Sequence, residues 1–352
     1  MSDSLITPIV MPKWGLAMKE GKLAAWLAEE GSDVAAGDEL LEVETEKITN
    51  VVETADGGTL RRKVGAEGSV YPVKTLLGVM APSEVSDADI DAFIAGYEVP
   101  AGEDDEDEEA AQQTAFIETP SGRLRYASKG EEGGETVVLI HGFGGDLDNW
   151  LFNIDALAEW ASVHALDLPG HGQSSKALDP PGLDALADAA LQLMDALEIE
   201  AAHLVGHSMG GSIAATIAQK APDRTTSLTL ISPAGLGEEI NSAYIDGFVK
   251  GATRRELKPV LQDLFADPKL ASRQMVDDLL KYKRLDGVTE VLTALAASQF
   301  ADGRQQTRVA DALSAMDLPI QVIWGAEDKV IPASHANAVS GAKVEVIDGA
   351  GH

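Results

Sequence analysis

The chain of 352 residues contains no cysteine. Disulfides, Cys-based zinc sites and a thiol nucleophile of the chain's own are therefore excluded, and no other metal-ligand set stands out. Positive charge is also scarce: 27 Lys and Arg face 58 Asp and Glu, for a formal net charge of -31. So acidic a chain repels phosphate backbones and anionic membrane surfaces, so neither nucleic acid nor a membrane is an expected partner. No run of about 18 apolar residues is present, so no membrane-spanning helix is predicted. The N-terminus, MSDSLITPIV, lacks a basic stretch followed by a long apolar run. No signal peptide is predicted from it, and the expected compartment is the cytoplasm.

What is present has 45% hydrophobic residues, enough for sizeable cores, and a length suited to two or three domains. The most abrupt change in composition is Glu103–Glu109, which reads EDDEDEE. Seven adjacent carboxylates repel one another and cannot pack. Residues 82–114 are read as an acidic connector with a solvated middle, serving solubility rather than docking a basic partner. A short helix is predicted inside it, capped by Asp87 and carrying Ile90, Phe93 and Ile94. Residues 1–81 before the connector alternate short strands with glycines and repeat at an offset of 37. Glu30-Gly31-Ser32 recurs as Glu67-Gly68-Ser69, and Gly21, Leu23 and Leu40 recur as Gly58, Leu60 and Leu77. Two such units predict a small pseudo-symmetric β-sandwich, because neither alone buries enough apolar surface. Residues 115–352 change rhythm. Compact apolar runs at 136–140, 163–166, 202–205, 227–231, 320–324 and 343–347 alternate with helical stretches such as 183–197 and 212–219. Strands buried on both faces between helices predict a mostly parallel α/β sheet. Residues 233–315 break the pattern with mostly helical periodicity and are read as an inserted cap.

Gly206-His207-Ser208-Met209-Gly210 fits G-x-S-x-G between an apolar strand and a helix, the context a strained nucleophile elbow needs. Ser208 is the candidate nucleophile. His141-Gly142-Phe143-Gly144-Gly145 follows an earlier strand, where backbone N–H groups of Phe143 and Met209 are expected to face one substrate oxygen. The remaining partners are expected in the order acid, then histidine. Asp328 follows the run 320–324, with Glu327 beside it as the weaker choice. His352 follows the run 343–347 and is the candidate base, with Asp328 fixing its tautomer. His141 is expected to brace its loop, His335 to be on the surface or facing the cap, and His164 and His203 to be structural. His207 is expected to point away from its serine neighbour, and His171 to lie in a loop near the site.

A second constellation lies at residues 40–54, where two apolar-rich segments flank Glu44-Thr45-Glu46-Lys47. Lys47 is predicted at a hairpin tip between the two repeat copies. Taken alone, that is any solvent-facing lysine.

The quoted loops, together with Asp167–Ser174, Gly325–Pro332 and Asp348–His352, make residues 115–352 resemble the α/β-hydrolase family. The resemblance implies a final helix after the histidine, so the sequence ending at His352 is expected to be a truncated copy. Residues 5–80 resemble lipoyl or biotinyl carrier domains through Met11–Gly15, Glu20-Gly21, Trp26, Glu30-Gly31, Val34, Gly37-Asp38, Glu44–Lys47 and Gly68. A biotin carrier places methionines around its lysine. Here the flanks are Glu46 and Ile48, so the resemblance implies lipoate on Lys47. The missing cysteine is consistent with sulfur supplied by a cofactor.

Carrier, acidic connector and hydrolase fold together resemble the dihydrolipoamide acetyltransferase components of acetoin dehydrogenase complexes. That implies acetyl transfer from a lipoyl arm to coenzyme A, beside a thiamine-diphosphate-dependent dehydrogenase and a dihydrolipoamide dehydrogenase. The chain lacks the H-x-x-x-D-G motif of other 2-oxo acid dehydrogenase acyltransferases and any segment resembling their subunit-binding domain. Two alternatives remain at this level: an ester, thioester or carbon–carbon bond hydrolase on a carrier, and a non-catalytic carrier or scaffold.

Overall fold

A computed structural model of the chain describes residues 6–12, 18–35, 37–45, 49–54, 57–97, 114–130 and 133–352. The acidic run Glu103–Glu109 and Lys47 lie outside them. The chain divides into two compact units, Met1–Ala111 and Gln112–His352. Among the described residues, no helix is long and apolar enough to cross a membrane.

In the first unit, two four-stranded antiparallel sheets face each other. One runs β5 (Thr49–Glu53), β4 (Glu39–Glu44), β2 (Glu20–Trp26), β7 (Val70–Pro72). The other runs β1 (Thr7–Val10), β8 (Leu76–Met80), β6 (Gly58–Lys63), β3 (Asp33–Val34). The 37-residue repeat is visible as reciprocal hydrogen bonds. Gly31 N–H donates to Leu60 O and Gly68 N–H to Leu23 O, each at 2.7 Å. Leu60 N–H donates to Ser32 O and Leu23 N–H to Ser69 O, each at 3.0 Å. Even the side chains obey the pattern: Glu30 accepts from Lys63 N–H at 2.5 Å and Glu67 from Trp26 N–H at 2.8 Å. Each copy's turn thus satisfies backbone groups of the other copy's strand, which is why the two halves must fold together. Both turns need a left-handed residue, and Gly31 (φ 85°) and Gly68 (φ 81°) supply it. Leu23, Leu41, Val43, Leu60 and Leu77 are completely buried between the sheets. In the β4–β5 hairpin Glu44 lies opposite Thr49, and the segment joining them carries Lys47 in the sequence.

Helix α1 (Asp87–Gly96) forms where the periodicity predicts it, but its cap differs. Ser86, not Asp87, accepts from Asp89 N–H. Asp87 instead meets Arg61 at 2.8 Å. Ile90 is buried with Leu76, Val79 and Val85, so this stretch of the expected connector belongs to the first unit's core.

The second unit is built on an eight-stranded sheet of order β16-β15-β14-β13-β11-β12-β10-β9. β11 (Glu135–Ile140), β12 (Ala161–Leu166), β13 (Ala202–His207), β14 (Thr225–Ile231), β15 (Ile320–Gly325) and β16 (Lys343–Ile347) are parallel. β9 (Thr114–Thr119) and β10 (Gly122–Lys129) are antiparallel and were not apparent from sequence. β9 alternates exposed and half-buried residues, β10 buries Leu124 and Ala127 among polar and basic residues, and neither forms an apolar run; Thr114, read above as the end of the connector, opens β9. Helices α2 (Ile154–Ala158), α3 (Leu183–Ala196) and α4 (Met209–Lys220) connect or flank the strands. Val138, Ile140, Leu204, Leu230, Val322 and Trp324 are fully buried along the sheet. Five helices of the cap region lie between β14 and β15: α5 (Ser242–Lys250), α6 (Arg254–Gln262), α7 (Arg273–Lys283), α8 (Val288–Gln299) and α9 (Ala310–Ser314).

Candidate active site

Ser208 sits between the end of β13 and the first residue of α4, with φ 53° and ψ -121°. A non-glycine residue here is strained, and it persists only because its surroundings fix it. Ser208 N–H donates to Ile231 O at 2.9 Å, and Ser208 O accepts from Ala234 N–H at 2.9 Å. The close turn explains the flanking glycines: a Cβ on Gly210 would lie 2.1 Å from Ile140 O. The helix begins at Met209, three residues before the periodicity suggested, because the glycines of the elbow are already helical.

His352 Nε2 lies 2.9 Å from Ser208 Oγ, and His352 Nδ1 lies 2.7 Å from Asp328 Oδ2. Asp328 is held from three further directions. Its Oδ1 accepts from Val330 and Ile331 N–H, each at 2.8 Å, and its Oδ2 accepts from Trp324 Nε1–H at 3.1 Å. Burial acts to raise the Asp328 carboxyl, but the His352 hydrogen bond and charge and the two backbone donors outweigh it. The group therefore stays below the usual carboxylate value and remains ionised. Glu327 plays no part in this relay; its backbone N–H donates to Ala350 O.

His207 and Ser208 both line the cavity. The Nε2 of His207 is 2.6 Å from the backbone oxygen of His352, and the two rings are 4.9 Å apart. Burial, and then the nearby His352, push the His207 pKa down to about 4, so the ring is neutral and Nε2–H donates. His352 N–H donates in turn to Leu264 O of the cap at 2.8 Å. His352 is therefore gripped at its side chain by Asp328 and at its backbone by His207 and Leu264. Neither Trp324 nor His207 was singled out as a support. The only signal was proximity in sequence to the acid and the nucleophile.

Phe143 is buried, its ring 5.6 Å from Phe248 and 5.8 Å from Phe300. Those contacts fix the loop after β11 against the cap. A Cβ on Gly142 would lie 2.9 Å from Ser208 Cβ, so the loop passes directly beside the serine. Met209 is the first residue of α4, where a backbone N–H has no partner within the helix. His141 braces this loop: its Nε2 accepts from Leu168 N–H at 3.0 Å and its Nδ1–H donates to Gly142 O at 2.8 Å. His171 is wholly buried beside it, ring to ring at 5.1 Å, and does not line the cavity. His335 is buried, bonded at 2.7 Å to Glu239 at the start of the cap. His164 and His203 tie serines within the sheet.

A cavity of about 610 Å³ opens above Ser208 and His352. Tyr244, Phe248, Met275, Leu279 and Phe300 give it an apolar wall from the cap. That size suits a small-molecule arm rather than a macromolecule.

Residues 135–352 match the family model described as alpha/beta hydrolase fold, and residues 7–80 match the one described as biotin-requiring enzyme. A serine hydrolase of Cycloclasticus zankles is 24% identical, with a TM-score of 0.62, over 68% of this chain and 91% of that one. At that identity the likeness speaks for the fold alone. Two curated relatives are similar over both units. Each is named a dihydrolipoyllysine-residue acetyltransferase component of an acetoin cleaving system. The protein from Cupriavidus necator is 56% identical over 99% of this chain and 92% of its own. That from Pseudomonas putida is 48% identical over 99% of this chain and 94% of its own. The chain thus belongs to the dihydrolipoyllysine-residue acetyltransferase components of acetoin cleaving systems, a family that joins a biotin/lipoyl-type domain to an α/β-hydrolase fold.

Proposed function

We propose that Ser208, His352 and Asp328 catalyse transfer of an acetyl group from a lipoyl thioester to coenzyme A in the cytoplasm. The observation that carries this reading is the unbroken relay from Ser208 Oγ through His352 to Asp328 at the floor of an apolar cavity. Lipoate, joined as an amide to Lys47, supplies a dithiol on a long arm that presents the acyl group as a thioester. The residues present suit it: Glu44 and Thr49 pair at the end of the β4–β5 hairpin, and the joining segment holds Lys47 without methionine flanks.

Ser208 Oγ attacks the thioester carbonyl carbon as His352 Nε2 accepts the hydroxyl proton. The negative charge on the carbonyl oxygen is met by the backbone N–H groups of Phe143 and Met209. Loss of one such donor typically costs about 2.7–4 kcal/mol. The carbon–sulfur bond breaks, the proton on His352 passes to the departing sulfur, and an acyl-serine remains. The thiol of coenzyme A then gives its proton to Nε2 and attacks the acyl carbon, and the serine leaves with that proton. Asp328 keeps His352 in the tautomer with Nδ1–H throughout. In the complex, a thiamine-diphosphate-dependent dehydrogenase would load the arm and a dihydrolipoamide dehydrogenase would reoxidise it.

The test uses lipoylated full-length protein carrying Ser208→Ala. Loss of acetyl-coenzyme A formation from acetyl-dihydrolipoamide supports the reading, and turnover at the wild-type rate refutes it. Free acetate formed in place of acetyl-coenzyme A would identify a hydrolase instead. Intact mass before and after Lys47→Arg shows whether the arm is attached there.

A further inference from the structure

Residues 250–284, within the cap, carry nine of the chain's 27 basic side chains against five acidic ones. This is a positive stretch in a chain of net charge -31. Its two helices are two-sided. α7 turns Met275, Asp278, Leu279 and Tyr282 to the cavity, while Arg273, Asp277, Lys281 and Arg284 follow one another along its other face at helical spacing. α6 sends Leu261 to the cavity and leaves Arg254, Arg255 and Lys258 exposed. The helices are joined on this outer side, where Arg254 Nη2 donates to Asp277 Oδ2 at 2.9 Å.

The cations of the second unit differ in how they are used. Arg125, Lys129, Lys220, Arg224, Arg304 and Arg308 each face a carboxylate within 4 Å. Arg255, Lys258, Lys269 and Arg284 are exposed and form no ion pair among the described residues. The cavity shows the opposite charge. Among the described residues its lining holds no Lys or Arg, and it includes Asp146 and Asp278, the latter paired with Lys281 at 2.9 Å. A polyanion would be repelled from inside it and attracted to the outside of the helices that form its wall.

Coenzyme A divides in the same way, into an uncharged pantetheine arm ending in the thiol and a nucleotide bearing several phosphate charges. We propose that the basic outer face of α6 and α7, centred on Arg255, Lys258 and Arg284, holds the nucleotide phosphates of coenzyme A, so that only the pantetheine arm enters the cavity. This rests on the reading of coenzyme A as acceptor. It adds where the acceptor is recognised and why an acidic protein keeps one positive stretch in its cap.

The test measures acetyl transfer from free acetyl-dihydrolipoamide to coenzyme A and to pantetheine, for the wild type and for Arg255→Ala/Lys258→Ala/Arg284→Ala. In the wild type, kcat/KM for coenzyme A should exceed that for pantetheine by about tenfold or more, with the advantage shrinking as salt screens the phosphates. In the variant the ratio should fall toward one. Calorimetry with the adenosine bisphosphate moiety alone, on Ser208→Ala protein with and without the three substitutions, reads the same site without turnover. Binding that the substitutions abolish supports the proposal. Equal use of both thiols by the wild type, or an unchanged ratio in the variant, overturns it while leaving the acceptor reading intact. With the acetylated lipoyl protein as a second acyl donor, a KM rise in the variant confined to that donor also overturns it, by assigning the patch to the carrier. If no thiol accepts the acetyl group and acetate accumulates, the acceptor reading fails and the proposal with it.

Discussion

Replacing Asp328 by Asn tests the relay without changing its shape. The amide has two orientations. If its NH2 takes the place of Oδ1, it faces the N–H groups of Val330 and Ile331, which now donate to that oxygen at 2.8 Å. Two donor–donor contacts would be buried, each leaving a group unsatisfied at a cost of about 1–3 kcal/mol. If the amide oxygen keeps the Oδ1 position, Trp324 Nε1–H and His352 Nδ1–H lose their acceptor at Oδ2; the indole still has Ile331 O at 3.1 Å, and the imidazole can shift its proton. The second orientation therefore wins. It places an NH2 donor against His352 Nδ1, which must become an acceptor. The ring proton moves to Nε2 and points at Ser208 Oγ, where a base is needed. Loss of the correct tautomer in a serine-protease triad lowers kcat by about 10⁴, which corresponds to roughly 5 kcal/mol of transition-state stabilisation. A similar loss in kcat is expected here, with a thermal midpoint close to wild type. Acetyl-coenzyme A separated from the acyl donor by chromatography and quantified at the adenine band measures it. An Asp328→Asn protein that retains kcat within about tenfold of wild type would refute the assignment of Asp328 as the group that orients His352.

Other consequences can be measured separately. Ser208→Gly should be more stable than Ser208→Ala by about 1 kcal/mol, because only glycine relaxes at φ 53°; equal thermal midpoints would show that the elbow is unstrained. His141, His171 and His207 have pKa values lowered by burial to about 4, about 3 and about 4, so they are neutral in the folded chain near neutrality. The unfolded chain protonates them near pH 6.5. Their contribution is thus complete above that pH and is lost as pH falls toward the folded values, with a slope on the order of 4 kcal/mol per pH unit at most. Urea midpoints of the second unit should drop between about pH 7.5 and about pH 5, and a flat profile would contradict the burial argument. In the first unit, Glu30→Ala and Glu67→Ala remove equivalent acceptors from Lys63 and Trp26 N–H. Each should lower that unit's stability by a similar amount, about 1 kcal/mol. A large effect from one and none from the other would break the symmetry.

The repeat was legible in sequence because the same hydrogen bonds are made twice, and a bond made twice leaves two copies of its residues. Gly31 and Gly68 are alike because each must turn left-handed to reach the other copy's leucine. The central strands were legible because burial on both faces demands unbroken apolar runs. β9 at the sheet's edge carries no such demand, and its alternate exposure passes for a loop; β10 beside it buries only Leu124 and Ala127 of its apolar residues between polar and basic ones, so it too shows no apolar run. The N-cap of α1 was misplaced by one residue because Ser86 and Asp87 are both good capping types, and only backbone geometry selects between them.

The catalytic positions were legible for a different reason. An elbow with φ 53° permits little beside it except glycine, so chemistry at Ser208 leaves a backbone signature in the neighbouring residues. The supports of the relay leave none. Trp324 is a buried strand residue that any core would accept; its indole N–H matters only because the chain returns Asp328 to within 3.1 Å of it. Leu264 acts through a backbone oxygen that every residue possesses, placed 2.8 Å from His352 N–H by the path of the cap. His207 carries no sign of a supporting role in sequence, since neighbours on a sharp turn diverge, yet burial makes it neutral and its Nε2–H meets the His352 backbone oxygen. These three hold the base by where they are rather than by what they are. Substitutions that preserve side-chain chemistry but shift the cap, at Leu264 or its neighbours, should therefore disturb catalysis through His352 while leaving every residue of the relay in place.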